Sequence, residues 1–186
     1  MPNIGVNVAA IQDDKILLTL RSDFEVWCLP GGGVDANESL AEAALRELRE
    51  ETGLDARLLH LVGLYSRRDW LSCGLHVAVF SGLVTGGTLR PQPEEVLEMR
   101  FFGRHELPEA MLLGHRQRCL DAFDGVCGAV WAQDGDWPFP PGMDRQELYA
   151  RMAQSGLSPA EFYNRYVGKP APGGATLEVA GKELRK

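Results

Sequence analysis

The chain has 186 residues, 45% hydrophobic and 24% charged, with 19 Lys plus Arg against 26 Asp plus Glu and a formal charge of −7. A chain of this length can bury a self-sufficient core and predicts one domain with at most an appendage. The acidic balance excludes a scaffold that wraps a nucleic-acid polymer through its phosphates, yet a few local cations or a bound metal can still prepare one pocket for a small phosphorylated ligand. Met1 to Gly5 lacks the basic start and apolar run of a signal peptide, and no stretch approaches the roughly 18 apolar residues of a membrane span. A cytoplasmic protein with no membrane partner is therefore expected. Cys28, Cys73, Cys119 and Cys127 form no Cys-x-x-Cys pair, which suits free, mostly buried thiols in a reducing compartment.

Asn3 to Ile11 and Ile16 to Leu20 are apolar runs around an Asp-rich turn and predict a β-hairpin. A short run, Val26 to Leu29, stops at Pro30 and three glycines, which open a loop of unusual backbone freedom. A helix is expected from Ser39 to Thr52, with Asn37 as N-cap, Glu38 in the first turn and Gly53 as the stop. Ala41, Ala44, Leu45, Leu48 and Thr52 share the arc expected to face the core. Ala56 to Tyr65, Leu75 to Leu83 and Val96 to Phe102 read as strands, with Val84 to Pro93 as a loop. Pro108 fits the first residue of a short helix, and a further helix is expected from His115 to Phe123, with His115 to Arg118 as its polar start and a phosphate role for them open.

Beyond residue 124 the character changes. Trp137 to Gly142 is a rigid connector, and Asp144-Arg145-Gln146-Glu147 and Ser158-Pro159-Ala160-Glu161 are capping boxes that predict two short helices. A short strand at Thr176 to Val179 is expected in the tail. The chain thus divides into a domain over 1–124 and an extension over 125–186. The helical pair has three open readings: a cap on a pocket, a homodimer contact, or packing on the domain.

The 39–52 helix has a second face. With Glu47 at 0°, Glu50 lies at about 300° and Glu51 at about 40°. Three like charges on one arc destabilise an empty helix, and a bridging Mg²⁺ removes that cost. The competing reading is a solvated surface, because Glu42-Arg46 and Arg46-Glu50 are ordinary i,i+4 pairs.

The surroundings decide between these. From Gly32 come five residues, then Glu38, seven residues, then Arg46-Glu47-Leu48-Arg49-Glu50-Glu51-Thr52-Gly53-Leu54. This resembles the signature of the Nudix hydrolases at all nine specified positions, a chance match on the order of one in 10⁸ to 10⁹. The resemblance covers roughly residues 3 to 124. It implies an α/β sandwich (α/β/α, mixed sheet) with a C-terminal helical extension, and a hydrolase that cuts a phosphoanhydride in a nucleoside diphosphate linked to another group, using Mg²⁺ or Mn²⁺. The implied roles follow. Glu47 and Glu51 are principal metal ligands and Glu50 a third. Arg46 orients them, Gly32 lets the loop turn, and Glu38 braces the loop or assists the metal.

The proton-accepting glutamate lies on the helix or on a later loop, where Glu94, Glu95 and Glu98 are candidates and Glu95, also a metal-ligand candidate, is favoured. Arg21, Arg67 and Trp70 are candidate substrate contacts, and Trp70 equally fits packing on its own domain. His76 reads as strand packing. A Nudix-fold sensor without turnover is the alternative, opposed by the intact carboxylate set. No downstream pattern marks NADH, ADP-ribose, dinucleoside polyphosphate or coenzyme A substrates, and the substrate stays open, with a nucleoside triphosphate or a nucleotide sugar among the candidates.

Overall fold

A computed structural model describes residues 3–71, 73–140 and 142–183. β1 (Asn3–Gln12) and β2 (Lys15–Arg21) form the expected hairpin. Asp13 and Asp14 both take positive φ, 50° and 57°, the left-handed pair whose twist suits a two-residue hairpin turn. β3 (Trp27–Cys28) pairs with β2, and α1 (Leu40–Thr52) follows. Then come β4 (Leu54–Arg67), β5 (Leu75–Gly87), β6 (Val96–Phe102) and α2 (His115–Phe123). β7 (Val126–Cys127), β8 (Ala129–Ala132), α3 (Arg145–Gln154) and α4 (Pro159–Phe162) follow, the last running into a π-type turn at Tyr163–Val167. β9 (Thr176–Val179) and β10 (Lys182–Glu183) close the described chain.

The main sheet runs β3-β2-β1-β5-β4-β8-β9, with β6 also on β2. β1 is parallel to β5 and β4 to β8, while the other pairings are antiparallel, so the sheet is mixed. Alternation along β1 divides its side chains between two layers. Val6, Val8 and Ala10 pack with Ala43, Ala44 and Leu48 of α1. Ala9 packs on the other side with Cys119 and Ala122 of α2. The result is the expected α/β/α sandwich. Each fully buried leucine, such as Leu18 or Leu48, contributes about 1.5–3 kcal/mol through burial. A third cluster joins Phe24, Val26 and Trp70 to Leu148, Phe162, Tyr163 and Val167, so α3 and α4 pack directly beside the loop after β2. Residues past 124 also add β8 and β9 to the sheet.

Several local expectations are corrected. No helix starts at Pro108. That segment is irregular and is held to β3 by backbone bonds, Trp27 N–H to Ala110 O at 2.9 Å and Leu112 N–H to Trp27 O at 2.8 Å. β5 continues to Gly87, because pairing with the start of β4 extends through what read as a loop. On α1, Ala41 and Leu45 are exposed and Ala43 and Glu51 are buried, so the inward face is rotated from the expected arc. The four cysteines are unpaired, and burial pushes the Cys28 and Cys119 thiols up to about 11 and about 12, which makes neither a nucleophile. Among the described residues, no helix is long and apolar enough to cross a membrane.

Candidate active site

The site begins at the entrance to α1. The N-cap is Ser39, not Asn37: its side chain accepts from Glu42 N–H at 3.2 Å, and Glu42 returns a bond from Ser39 N–H at 2.8 Å. Asn37 instead takes left-handed backbone at φ 69° in the preceding turn. Glu38 therefore lies outside the helix, where it accepts from Asp35 N–H at 2.6 Å and from Arg46. Arg46 gathers the entrance, donating to Glu38, Glu47 (2.9 Å), Glu50 (3.1 Å) and the Gly33 carbonyl (3.1 Å). Gly32 passes against Glu47 so closely that a Cβ there would sit 2.6 Å from the carboxylate. Gly53, at φ 73°, ends the helix and donates to Arg49 O.

The far end of α1 positions a loop. Arg90 N–H donates to Thr52 O at 2.9 Å and Gln92 N–H to Glu51 O at 3.2 Å, which hangs residues 88–95 on the helix terminus. Glu95 thereby lines the same cavity as Glu47, Glu50 and Glu51. Glu94 and Glu98 are exposed and do not line it.

Glu51 is 6% exposed, and its carboxylate accepts from the Gly31 N–H at 3.1 Å. Burial pushes its acid up to about 8, against the pull of the Gly31 bond and Arg21, with Glu47 and Glu95 adding to the rise. Burial raises Glu47 as well, against the pull of Arg46. A buried carboxylate beside other carboxylates is costly without a cation. The donors are all carboxylate oxygens, which suits a hard divalent ion. Among the described residues, however, no three His, Cys, Asp or Glu side chains stand close enough to enclose one. Arg46 occupies an oxygen of both Glu47 and Glu50. Arg46 leaves the second oxygen of each free, so the set fits a divalent cation in donor type and charge.

The cavity measures about 860 Å³, within the range of small-molecule sites. Its lining joins these carboxylates to the cations Arg21, Arg67 and Arg118. Arg21 is tied to Asp23 at 2.6 and 2.8 Å, and Tyr149 of α3 donates to the same Asp23 at 2.7 Å. Arg67 is paired with Asp69 at 2.8 Å and lies 4.9 Å from the centre of the Trp70 ring. Trp70 lines the cavity but is 9% exposed and packs edge-on against Trp137 at 5.5 Å. His76 lies outside, bonded to Ser66 at 2.9 Å. Asp144, Arg145, Leu148 and Tyr149 of the extension form part of the wall.

Sequence reasoning missed Asn7, and for His115 and Arg118 it left a phosphate role open beside that of a polar helix start. All three are buried and line the cavity. An asparagine between Val6 and Val8, inside the buried run of β1, was the available signal. His115 and Arg118 looked like a polar helix start and are instead among the least exposed polar side chains of the protein.

A family model, the NUDIX domain, matches residues 1–123. A putative 8-oxo-dGTP diphosphatase of Bacillus subtilis (strain 168) is 34% identical over 115 residues, 62% of this chain and 75% of that protein. A MutT-like protein of Streptomyces ambofaciens is 31% identical over 144 residues, 76% of this chain and 91% of that protein. A crystal structure of a NUDIX hydrolase from Nitrosomonas europaea superposes with a TM-score of 0.65 at 22% identity, covering 72% of this chain and 79% of that one, a likeness of fold. With the complete motif folded around one cavity and a family match over two thirds of its length, the chain belongs to the Nudix family and is an enzyme of its pyrophosphohydrolase class.

Proposed function

We propose that this protein cleaves a phosphoanhydride bond in a small nucleotide-type substrate, a nucleoside triphosphate or a nucleoside diphosphate linked to a sugar, with Mg²⁺ as metal and Mn²⁺ as substitute. The observation that carries this reading is one cavity lined both by four carboxylates and by Arg21, Arg67 and Arg118. Such a cavity accommodates a polyanion only when the carboxylates are neutralised.

Glu47, Glu50, Glu51 and Glu95 are the residues to hold the ion, which supplies charge neutralisation at phosphorus and acidifies a coordinated water. Arg46 orients Glu47 and Glu50 through its donors. Glu95, the glutamate of the 88–95 loop that lines the cavity, accepts the proton of the attacking water. Arg21 and Arg67 hold phosphate oxygens, each aimed by its own aspartate. The glycine run from Gly31 to Gly33 lets backbone pass beside the phosphates without side chains intervening. Trp70 is held against Trp137 and limits the space on the Arg67 side.

The test is a nucleotide panel with Mg²⁺, reading released phosphate and nucleoside monophosphate. Turnover of at least one class is expected, and its absence after EDTA treatment. Metal binding without turnover of any member favours a sensor.

A further inference from the structure

Arg118 is 2% exposed and lines the cavity, yet no carboxylate pairs with it among the described residues. Arg21 and Arg67, its cationic neighbours, each have an aspartate. Asp121, one turn further along α2, is engaged elsewhere: it accepts from the Tyr65 hydroxyl at 2.7 Å, the Trp131 indole N–H at 2.9 Å and the Gln117 amide at 2.8 Å. The partners of Arg118 are neutral. Asn7 Oδ1 accepts from Nη1 at 2.9 Å, Gln133 Oε1 accepts from Nε at 3.2 Å, and the Tyr65 ring lies 5.3 Å away. Nη2 donates to none of the described residues. A guanidinium aimed from two sides by neutral amides and left without a counter-charge is a prepared anion donor.

His115 supplies a second, independent observation. Its Nδ1 accepts from the Leu29 N–H at 3.0 Å. Its Nε2 lies 3.1 Å from Arg118 Nη1. Leu29 N–H and Arg118 Nη1 can only donate, and a neutral imidazole has one accepting nitrogen. With Nδ1 taken, Nε2 carries the hydrogen, so two N–H groups face each other with no acceptor between them. Burial, then the nearby Arg118, Arg21 and Arg67 charges, holds this imidazole well below its usual range, in the neutral form this tautomer requires.

The place of this pair in the cavity follows from Gly31. Its N–H donates to Glu51, and a Cβ on it would lie 2.8 Å from the Asn7 Nδ2. Gly31 thus touches Glu51 on one side and Asn7, the partner of Arg118, on the other. Arg118 and the glutamates line one cavity, so one small molecule can reach both.

We propose that Arg118 and His115, aimed by Asn7 and Gln133, form a subsite for an oxyanion of the substrate, a phosphate or carboxylate carried beyond the bond that is cut. This rests on the reading of the cavity as a site for phosphorylated substrates. The oxyanion accepts from Arg118 Nη2 and from the facing N–H of His115, and supplies the missing counter-charge.

Two probe pairs test it with the full chain, each differing by one oxyanion: GTP against GDP for a terminal phosphate, and UDP-glucuronate against UDP-glucose for a carboxylate. Dissociation constants are measured by calorimetry with Ca²⁺ in place of Mg²⁺, under conditions where no product is released, beside turnover with Mg²⁺. In one pair the wild type is expected to bind the charged member about tenfold more tightly. Arg118→Gln should reduce that ratio to within about threefold, and Arg118→Lys should restore part of it. The pair that responds identifies the oxyanion. Should Arg118→Gln fail to fold, Asn7→Ser, which keeps the charge but releases its aim, must lower the ratio. No charge preference in either pair, a preference that follows the base instead, or a preference unchanged in a folded Arg118→Gln protein overturns the subsite. Charge preference without turnover of any nucleotide leaves the subsite standing and removes the hydrolase reading; turnover without charge preference does the reverse.

Discussion

Arg46 holds Glu38 in a two-pronged ion pair, Nη2 to Oε1 at 2.6 Å and Nε to Oε2 at 3.1 Å, across the start of α1. The same guanidinium reaches Glu47 and Glu50, so it couples the glycine loop to the carboxylate face. Arg46→Gln is expected to lower kcat/KM by about 100-fold through misplacement of Glu47 and Glu50. The helix should persist, because the Ser39–Glu42 capping box is independent of Arg46. Steady-state kinetics beside far-ultraviolet circular dichroism separates the two effects.

The position of the N-cap is open to direct measurement. Ser39→Ala is expected to destabilise the protein by about 1 kcal/mol in urea unfolding. Asn37→Gly removes the side chain first expected to cap the helix but suits the left-handed backbone there, so it should cost at most a few tenths of a kcal/mol.

His115 predicts an acid limb. Its folded pKa lies well below the ordinary 6.5, so the unfolded chain binds a proton that the folded protein refuses. This contribution to stability is complete above about pH 6.5 and is lost as pH falls below it, by up to about 1.4 kcal/mol per pH unit. Because burial raises Glu51 to about 8, which stabilises the folded state as pH falls through the same range, the His115 contribution is read as a difference: from pH 7.5 to 5 the urea midpoint of the wild type should fall relative to that of His115→Gln.

The extension makes a wall of the cavity, and two substitutions probe it differently. Leu148 is fully buried between the domain and α3, so Leu148→Ala is expected to cost about 2–5 kcal/mol. Tyr149→Phe removes only the donor to Asp23, which aims Arg21. It should raise KM about fivefold, the loss of roughly 1 kcal/mol of positioning, with little change in kcat.

Much of this was legible in the sequence, for identifiable reasons. The hairpin, β6, α2 and the two capping boxes announced themselves through local periodicity and turn chemistry, which tertiary contacts did not override. The resemblance to the Nudix signature pointed to Glu47, Glu50 and Glu51, and the fold brings them to one cavity. The failures have physical causes. Asn37 and Ser39 are both good caps, and the left-handed turn that decides between them is not visible in composition. The inward face of α1 was misjudged because burial of Glu51 at the site turns Ala43 inward and leaves Ala41 and Leu45 exposed. β8 is four residues long and finds its place only by pairing with β4 across the fold. Arg118 and His115 carry a surface-like composition into a polar cavity that only the assembled layers create.

The most direct measurement of the central claim is Mg²⁺-dependent turnover of the best panel substrate by wild type, Glu50→Gln, Glu51→Gln and Glu95→Gln, each checked for folding. The expected result is release of phosphate or monophosphate by the wild type and a fall of about 10²–10⁴-fold in each variant. Turnover that survives both Glu50→Gln and Glu51→Gln at the wild-type rate would contradict the proposed carboxylate site.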